Sequence, residues 1–297
     1  MKPPAFAYHV PEDVETAVGL LERVGDEGKV LAGGQSLVPM MNMRLATPAA
    51  LVDITRLGEL GDIEVGEDTV TVGAAVTAER LRTHAAATGA CPLLRQALDL
   101  VAHGVIRNRG TVVGSLAHAD PAAELPAVFS LLDGHLELRS RNGTRTVTGA
   151  DLFVGVLQSD VRDDELATAV TFPALPARTG TAFHELARRH GDYALAGVAT
   201  MVTLDDDASI SAARAVVIGV ADRPVVIDLG DTLHGQSHDA LDTDDAVGHL
   251  REQIDPADDI HASGRYRRHL AGVLCARALA DSVARAAGGQ AASGEGT

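Results

Sequence analysis

Residues 29–37, Lys29-Val30-Leu31-Ala32-Gly33-Gly34-Gln35-Ser36-Leu37, run from a short β-forming segment directly into a double-glycine turn. Two adjacent glycines permit positive φ and leave no Cβ in the way of an approaching group. Successive backbone N–H groups in such a turn can face one anion, as in an anion-binding nest. The Ser36 hydroxyl and the Gln35 amide add further donors. The pattern suits a pyrophosphate, although a Gly-Gly turn between two elements also has a purely structural reading. It is not a Walker loop, because no Gly-Lys-Ser/Thr follows, and Gly-x-Gly-x-x-Gly is missing too.

Outward from this turn, residues 12–24 carry apolar side chains at helical spacing behind two acids, and residues 50–54 read as a buried strand. The result is a small α/β unit of helix, strand, glycine turn and strand. Residues 63–65 and 69–73 flank Gly66-Glu67-Asp68 as a hairpin, and Thr77 is a good N-cap for a helix over 78–86. A second helix is expected over 92–102. Strands at 135–139 and 144–147 enclose Asn142-Gly143, a strong hairpin signal. A further strand covers 165–172. The stretch 173–180, with Pro173 and Pro176, reads as a domain boundary. Strands near 181–187, 195–204, 212–220 and 224–229 follow, then helices near 243–254 and 264–286. Strands first and helices afterwards predict an α+β layer. Residues 287–297 are expected to be a disordered tail.

The densest polar patch spans residues 103–126. Gly110, Thr111, Gly114, Ser115, His118, Asp120 and Glu124 crowd together without a clear period. A segment serving only as core has no need of these groups, and backbone approach to a ligand accounts for Gly110 and Gly114. A polar turn region is the competing reading, with Asp120 forming a turn before Pro121 and His118 an ordinary hydrogen-bonded histidine.

Bulk composition narrows the function. The 297 residues allow about two domains. Apolar residues make up 46% and aromatics 3% with no Trp, so the core is aliphatic. A formal net charge of −16 disfavours nucleic acid and anionic membranes as partners. The basic run Arg265, Arg267, Arg268 reads as a solvated or subunit-facing helix surface. Cys91 and Cys275 are the only cysteines, too few for an iron–sulfur cluster, which takes about four thiolates. His103, His184 and His190 show no metal-ligand spacing, so no metal site is expected. No signal peptide or membrane span is read from the chain, and a cytoplasmic location is expected.

Taken together, the motifs carry a resemblance. Ala32-Gly33-Gly34-Gln35-Ser36-Leu37 is followed some seventy residues later by Ile106-Arg107-Asn108-Arg109-Gly110-Thr111-Val112-Val113-Gly114-Ser115-Leu116-Ala117-His118-Ala119-Asp120-Pro121-Ala122. Next come Arg189-His190-Gly191-Asp192-Tyr193-Ala194 and a closing helix from Arg265 to Leu279. In this order they resemble the FAD-binding medium subunit of the xanthine dehydrogenase and carbon monoxide dehydrogenase family, the molybdenum hydroxylases. The match spans nearly the whole chain.

The resemblance implies an α+β protein with a vanillyl-alcohol-oxidase (PCMH)-type FAD-binding fold. Residues 1–176 would form the FAD domain, in subdomains of about 1–57 and 58–176. Residues 177–286 would form a C-terminal α+β domain with antiparallel sheet and helices. It implies that the backbone of Ala32, Gly33, Gly34, Gln35, Ser36 and Leu37 holds the diphosphate. Thr111, Gly114, Ser115, His118 and Asp120 would line the second side of the cofactor, and Glu124 would reach its ribityl or adenosine part. Ala102 would lie near the flavin ring and Leu166 near the adenine. Tyr193 would cover one face of the isoalloxazine and gate access, with Asp192 at the flavin edge. Three positions depart from the usual pattern: Val113 stands where a second Gly is usual, Gln35 replaces a His, and Glu124 replaces an Asp.

The implied function is electron transfer. A large molybdopterin subunit hydroxylates the substrate, a small iron–sulfur subunit relays electrons, and FAD in this chain passes them to NAD, a quinone, oxygen or another soluble acceptor. The assembly would be a heterotrimer, in one or two copies. Two other readings stand beside it: a self-sufficient FAD oxidoreductase on the same fold, and a scaffold that has lost FAD.

Overall fold

A computed structural model of the chain describes residues 2–288. It divides into two compact units that are discontinuous in sequence. The first contains the chain up to Cys91, then Ala102–Asp120 and Asp133–Pro173. The second contains Pro92–Val101, Pro121–Leu132 and the chain from Ala174 onward.

The first unit begins with a three-stranded parallel sheet in the spatial order Ala7–His9, Ala50–Asp53, Gly28–Leu31. The helix Val14–Val24 covers it. Asp13 caps that helix, its Oδ1 accepting from Thr16 N at 2.7 Å, and Val14, Ala17, Val18, Leu20 and Leu21 form the buried face. Gly25, at φ 54°, ends it.

A five-stranded antiparallel sheet follows in the same unit, ordered Ile63–Val65, Thr69–Gly73, Leu166–Pro173, His135–Ser140, Gly143–Thr148. Its inward residues alternate: Val70 and Val72 on one strand, Leu136 and Leu138 on another, are fully buried. The Asn142-Gly143 hairpin forms, with Ser140 paired to Gly143 and Gly143 at φ 130°. The expected helix over 78–86 is corrected to two, Ala78–Arg82 and Ala85–Ala90. His84 leaves the helical region at φ −82°, ψ 94°, and its Nδ1 caps the second helix by accepting from Ala87 N at 3.2 Å.

The second unit is a four-stranded antiparallel meander, Thr179–Ala187, Ala194–Leu204, Ile210–Ile218, Val225–Asp228. The helix Gly264–Gly288 packs on one face, and Pro92–Leu100 and Glu124–Leu131 also pack in this unit. Cover on both faces explains why Ala194–Leu204 is buried along most of its length rather than at alternate residues. Gly180 lets the last helix approach closely, since a Cβ there would lie 2.0 Å from Ser282 O. Thr200 Oγ1 and Ser282 Oγ meet at 2.7 Å inside the core.

The basic run at 265–268 is corrected at Arg267, which is 7% exposed. Its guanidinium donates to Leu195 O at 2.6 Å, Gly219 O at 3.0 Å and Asp259 Oδ2 at 2.6 Å, tying the last helix to the sheet. Arg268 pairs with Asp255 at 2.7 Å. Of the expected tail over 287–297, Ala287 and Gly288 continue the last helix, and 289–297 lie outside the described residues.

Candidate functional site

The double-glycine turn leaves the strand Gly28–Leu31 and enters the helix Leu37–Asn42. Gly34 adopts φ 69°, a left-handed conformation that favours glycine. The helix takes up its backbone bonds only from Val38 N, which donates to Gly34 O at 3.1 Å. Among the described residues, the N–H groups of Gly33, Gly34, Gln35 and Ser36 have no backbone acceptor. Ser36 makes no capping hydrogen bond with its side chain. Four amides and a hydroxyl on a half-buried turn therefore keep their donor capacity for a bound group.

The second glycine motif packs against this turn. A Cβ built on Gly33 would lie 2.2 Å from Arg109 O and 2.6 Å from Gly110 Cα. One built on Gly110 would lie 3.7 Å from Gln35 Cγ, and one on Gly114 would lie 3.9 Å from Ala32 Cβ. Segments some seventy residues apart thus pack together through small residues.

Thr111 organises the far side. Its Oγ1 accepts from Gly114 N at 3.1 Å and caps the helix Val112–His118. The loop before it is pinned by Ala78 N to Gly110 O at 2.8 Å and Val112 N to Val76 O at 3.2 Å. Ser115 and His118 lie on that helix, half-buried. Ala119 ends it in the left-handed region at φ 54°, and Asp120 follows. Burial lowers the pKa of His118, against the opposing pull of Asp120, so the imidazole is neutral at neutral pH. Val113 points into the core, 2% exposed.

Ala102 is held at φ 40°, and Arg107 donates to its carbonyl at 3.1 Å. Arg107 also binds Glu79 at 3.0 Å, and Glu79 in turn binds Arg82 at 2.6 Å. Hydrogen bonds from Arg82 and Arg107 pull the Glu79 carboxyl down to about 2. This clamp, which ties the loop 102–110 to the helix Ala78–Arg82, has no local signal in the sequence. Arg107 and Glu79 are 28 residues apart.

Leu166 is 1% exposed within its strand, side chain and backbone together. Glu124, Asp192 and Tyr193 belong to the other compact unit. Glu124 opens the helix Glu124–Leu131. Asp192 and Tyr193 sit in the hairpin between Thr179–Ala187 and Ala194–Leu204. Asp192 Oδ2 pairs with Arg189 at 3.3 Å and Arg188 at 3.7 Å. Tyr193 is 65% exposed.

Residues 4–175 match the FAD binding domain in molybdopterin dehydrogenase, and residues 181–282 match the CO dehydrogenase flavoprotein C-terminal domain. The chain belongs to the FAD-binding medium subunits of the molybdenum hydroxylases.

This medium subunit is 40% identical to the 6-hydroxypseudooxynicotine dehydrogenase complex subunit alpha of Paenarthrobacter nicotinovorans, over 96% of this chain and 97% of that one. It is 34% identical to the carbon monoxide dehydrogenase medium chain of Hydrogenophaga pseudoflava, over 97% and 100%. A solved carbon monoxide dehydrogenase from Oligotropha carboxidovorans superposes with a TM-score of 0.90 at 35% identity, covering 96% of this chain and 100% of that one. The α+β fold with antiparallel sheets is therefore that of the carbon monoxide dehydrogenase medium subunits, and FAD is the cofactor. The relatives are chains or subunits of multi-subunit dehydrogenases. No helix among the described residues is long and apolar enough to cross a membrane.

Proposed function

We propose that this medium subunit takes electrons from the iron–sulfur clusters of a small partner subunit and passes them to NAD or another soluble acceptor, while a large molybdopterin subunit carries out the hydroxylation. The carrying observation is the packing of the Gly33–Gly34 turn on Arg109–Gly110. It exposes unpartnered amides on a surface where side chains are excluded. FAD, when bound, supplies a redox centre that accepts and releases electrons singly or in pairs. The two cysteines are both buried and too few for a cluster, so an iron–sulfur cluster that feeds the flavin belongs to another chain.

In this reading Ala32, Gly33, Gly34, Gln35, Ser36 and Leu37 bind the diphosphate through amides and the Ser36 hydroxyl. Thr111, whose Oγ1 already accepts from Gly114 N, keeps its hydroxyl proton as a donor. Gly114, Ser115, neutral His118 and Asp120 complete that side, Ala102 serves the flavin ring, and Leu166 packs near the adenine. Glu124 orients a hydroxyl-bearing part of the cofactor. Tyr193 controls access at the flavin, and Asp192 faces the flavin edge and influences its potential. A cytoplasmic site of action and the division near residue 176 belong to the same proposal.

The test begins with the absorbance spectrum of the purified chain and identification of the flavin released on denaturation. Stoichiometric FAD, reduced rapidly only when both partner subunits and their substrate are present and reoxidised by a soluble acceptor, supports the role. Turnover of a small substrate by the chain alone would establish the self-sufficient oxidoreductase instead.

A further inference from the structure

The helix that carries Ser115 and His118 ends in a conformation its own sequence does not favour. Ala119 closes it at φ 54°, where glycine sits freely and alanine does not. The last carbonyls of a helix lack partners within it. Two carbonyls at this end are taken up from another part of the chain. Ser159 Oγ donates to Ala117 O at 3.0 Å, and Leu157 N donates to Ala119 O at 3.1 Å. His118 lies between the two bonded residues.

Both donors come from one small hairpin, in which Phe153–Gly155 pairs with Gln158–Ser159. Leu157, in its turn, is itself left-handed at φ 56°. Two non-glycine residues in this region, joined by one hydrogen bond, persist only where their surroundings fix them. Burial of the hairpin tip does not do so, since the Val154, Val156 and Leu157 side chains are exposed. The base of the hairpin is tied down instead: Asp160 N donates to Leu152 O at 2.8 Å, and Asp160 Oδ2 pairs with Arg145 at 2.6 Å. A hairpin anchored at its base thus reaches across to the helix end with two donors. All of these residues belong to the first compact unit.

The imidazole of His118 is half-buried and makes no hydrogen bond among the described residues. No partner side chain aims the ring, so its direction follows from the backbone that carries it.

We propose that Ser159 is a positioning residue for FAD: its bond to Ala117 O, with that of Leu157 N to Ala119 O, fixes the backbone on both sides of His118 and presents the imidazole to the cofactor. This rests on the assignment of His118 to the FAD site. A ring already fixed in place loses less freedom when the cofactor binds, so the brace tightens binding without touching FAD.

The experiment measures FAD dissociation constants of the intact subunit assembly, by the fluorescence of released flavin at neutral pH. The proteins are wild type, Ser159→Ala, Ser159→Thr, His118→Ala and the double variant Ser159→Ala/His118→Ala. Ser159→Ala should weaken FAD binding about three- to tenfold, the worth of one hydrogen bond. Ser159→Thr keeps the hydroxyl and should recover most of it. In the His118→Ala background, the further change from Ser159→Ala should vanish, because the group it positions is gone. A brace that served only stability would weaken binding equally in both backgrounds, and that result overturns the proposal. So does wild-type affinity in Ser159→Ala. Wild-type affinity in His118→Ala overturns the assignment beneath it.

Discussion

Gly33 rests on the carbonyl of Arg109 so closely that a methyl group cannot be inserted: a Cβ at Gly33 would lie 2.2 Å from that oxygen. The obstructing atoms are backbone and cannot rotate away. Gly33→Ala should push the two glycine segments apart, destabilise the first unit by about 1–3 kcal/mol and lower the FAD content several-fold. Gly89→Ala is the control, because nothing lies within 4 Å of its added Cβ. It should be neutral or stabilise by up to about 1 kcal/mol. Denaturant midpoints and flavin-to-protein ratios of the two variants check the pair.

Thr111 caps the helix that carries Gly114, Ser115 and His118. Thr111→Ala should cost about 1 kcal/mol, and Thr111→Ser should recover most of it. Urea unfolding of the three proteins measures this. Equal losses in Ala and Ser would show that the Thr methyl, not the hydroxyl, matters.

Arg145 grips Glu165 with two bonds, Nε to Oε1 at 2.6 Å and a second guanidinium nitrogen to Oε2 at 2.7 Å, and also binds Asp160 at 2.6 Å. Glu165 is 5% exposed. Burial alone would raise its pKa, but the Arg145 hydrogen bonds and the Arg162 N–H hold it below the usual range. Its stabilising contribution is therefore present above the ordinary Glu value and lost as pH falls through the lowered one. Arg145→Ala leaves an uncompensated buried charge and should cost about 3–5 kcal/mol at neutral pH. The gap from wild type should narrow in acid, and thermal melts at neutral and acidic pH test both parts.

Glu185, on the strand Thr179–Ala187, has the opposite sign. Burial raises its pKa in the fold to about 8, above the ordinary Glu value of 4.5. Between those values the native state binds the extra proton, so this group's contribution to stability is full below 4.5 and declines as pH rises towards 8. Glu185→Gln should remove that decline, and its melting temperature should gain on wild type as pH rises through this window. Parallel curves for the two proteins would contradict the raised value.

Tyr193 is 65% exposed on a hairpin. Tyr193→Ala should change stability by less than about 0.5 kcal/mol. If the residue gates the flavin, reoxidation by the soluble acceptor changes several-fold in stopped-flow while folding is untouched.

Local chemistry made much of this legible. The Asn142-Gly143 turn, the Thr77 cap and the strand leading into Gly33-Gly34 each depend on a few adjacent residues, and each forms. Segment 103–126 resisted reading for two physical reasons. Its helices Gly104–Arg107 and Val112–His118 are too short to show a period. Glu124–Leu131 is buried from Leu125 to Leu131, so no polar face marks its turns.

The glycine motifs in their order, the aliphatic core and the scarcity of cysteine are properties of the chain itself; the motifs carry the resemblance that implies the family and its cofactor, and the composition only narrows the function. Tertiary structure alone decided which surfaces meet. It placed Arg109 O on Gly33, turned Val113 inward and buried Arg267 against two carbonyls. Each of these contacts joins residues far apart in the chain, so closing the chain around the core, not neighbouring sequence, sets the distance and the dielectric that give them their chemistry.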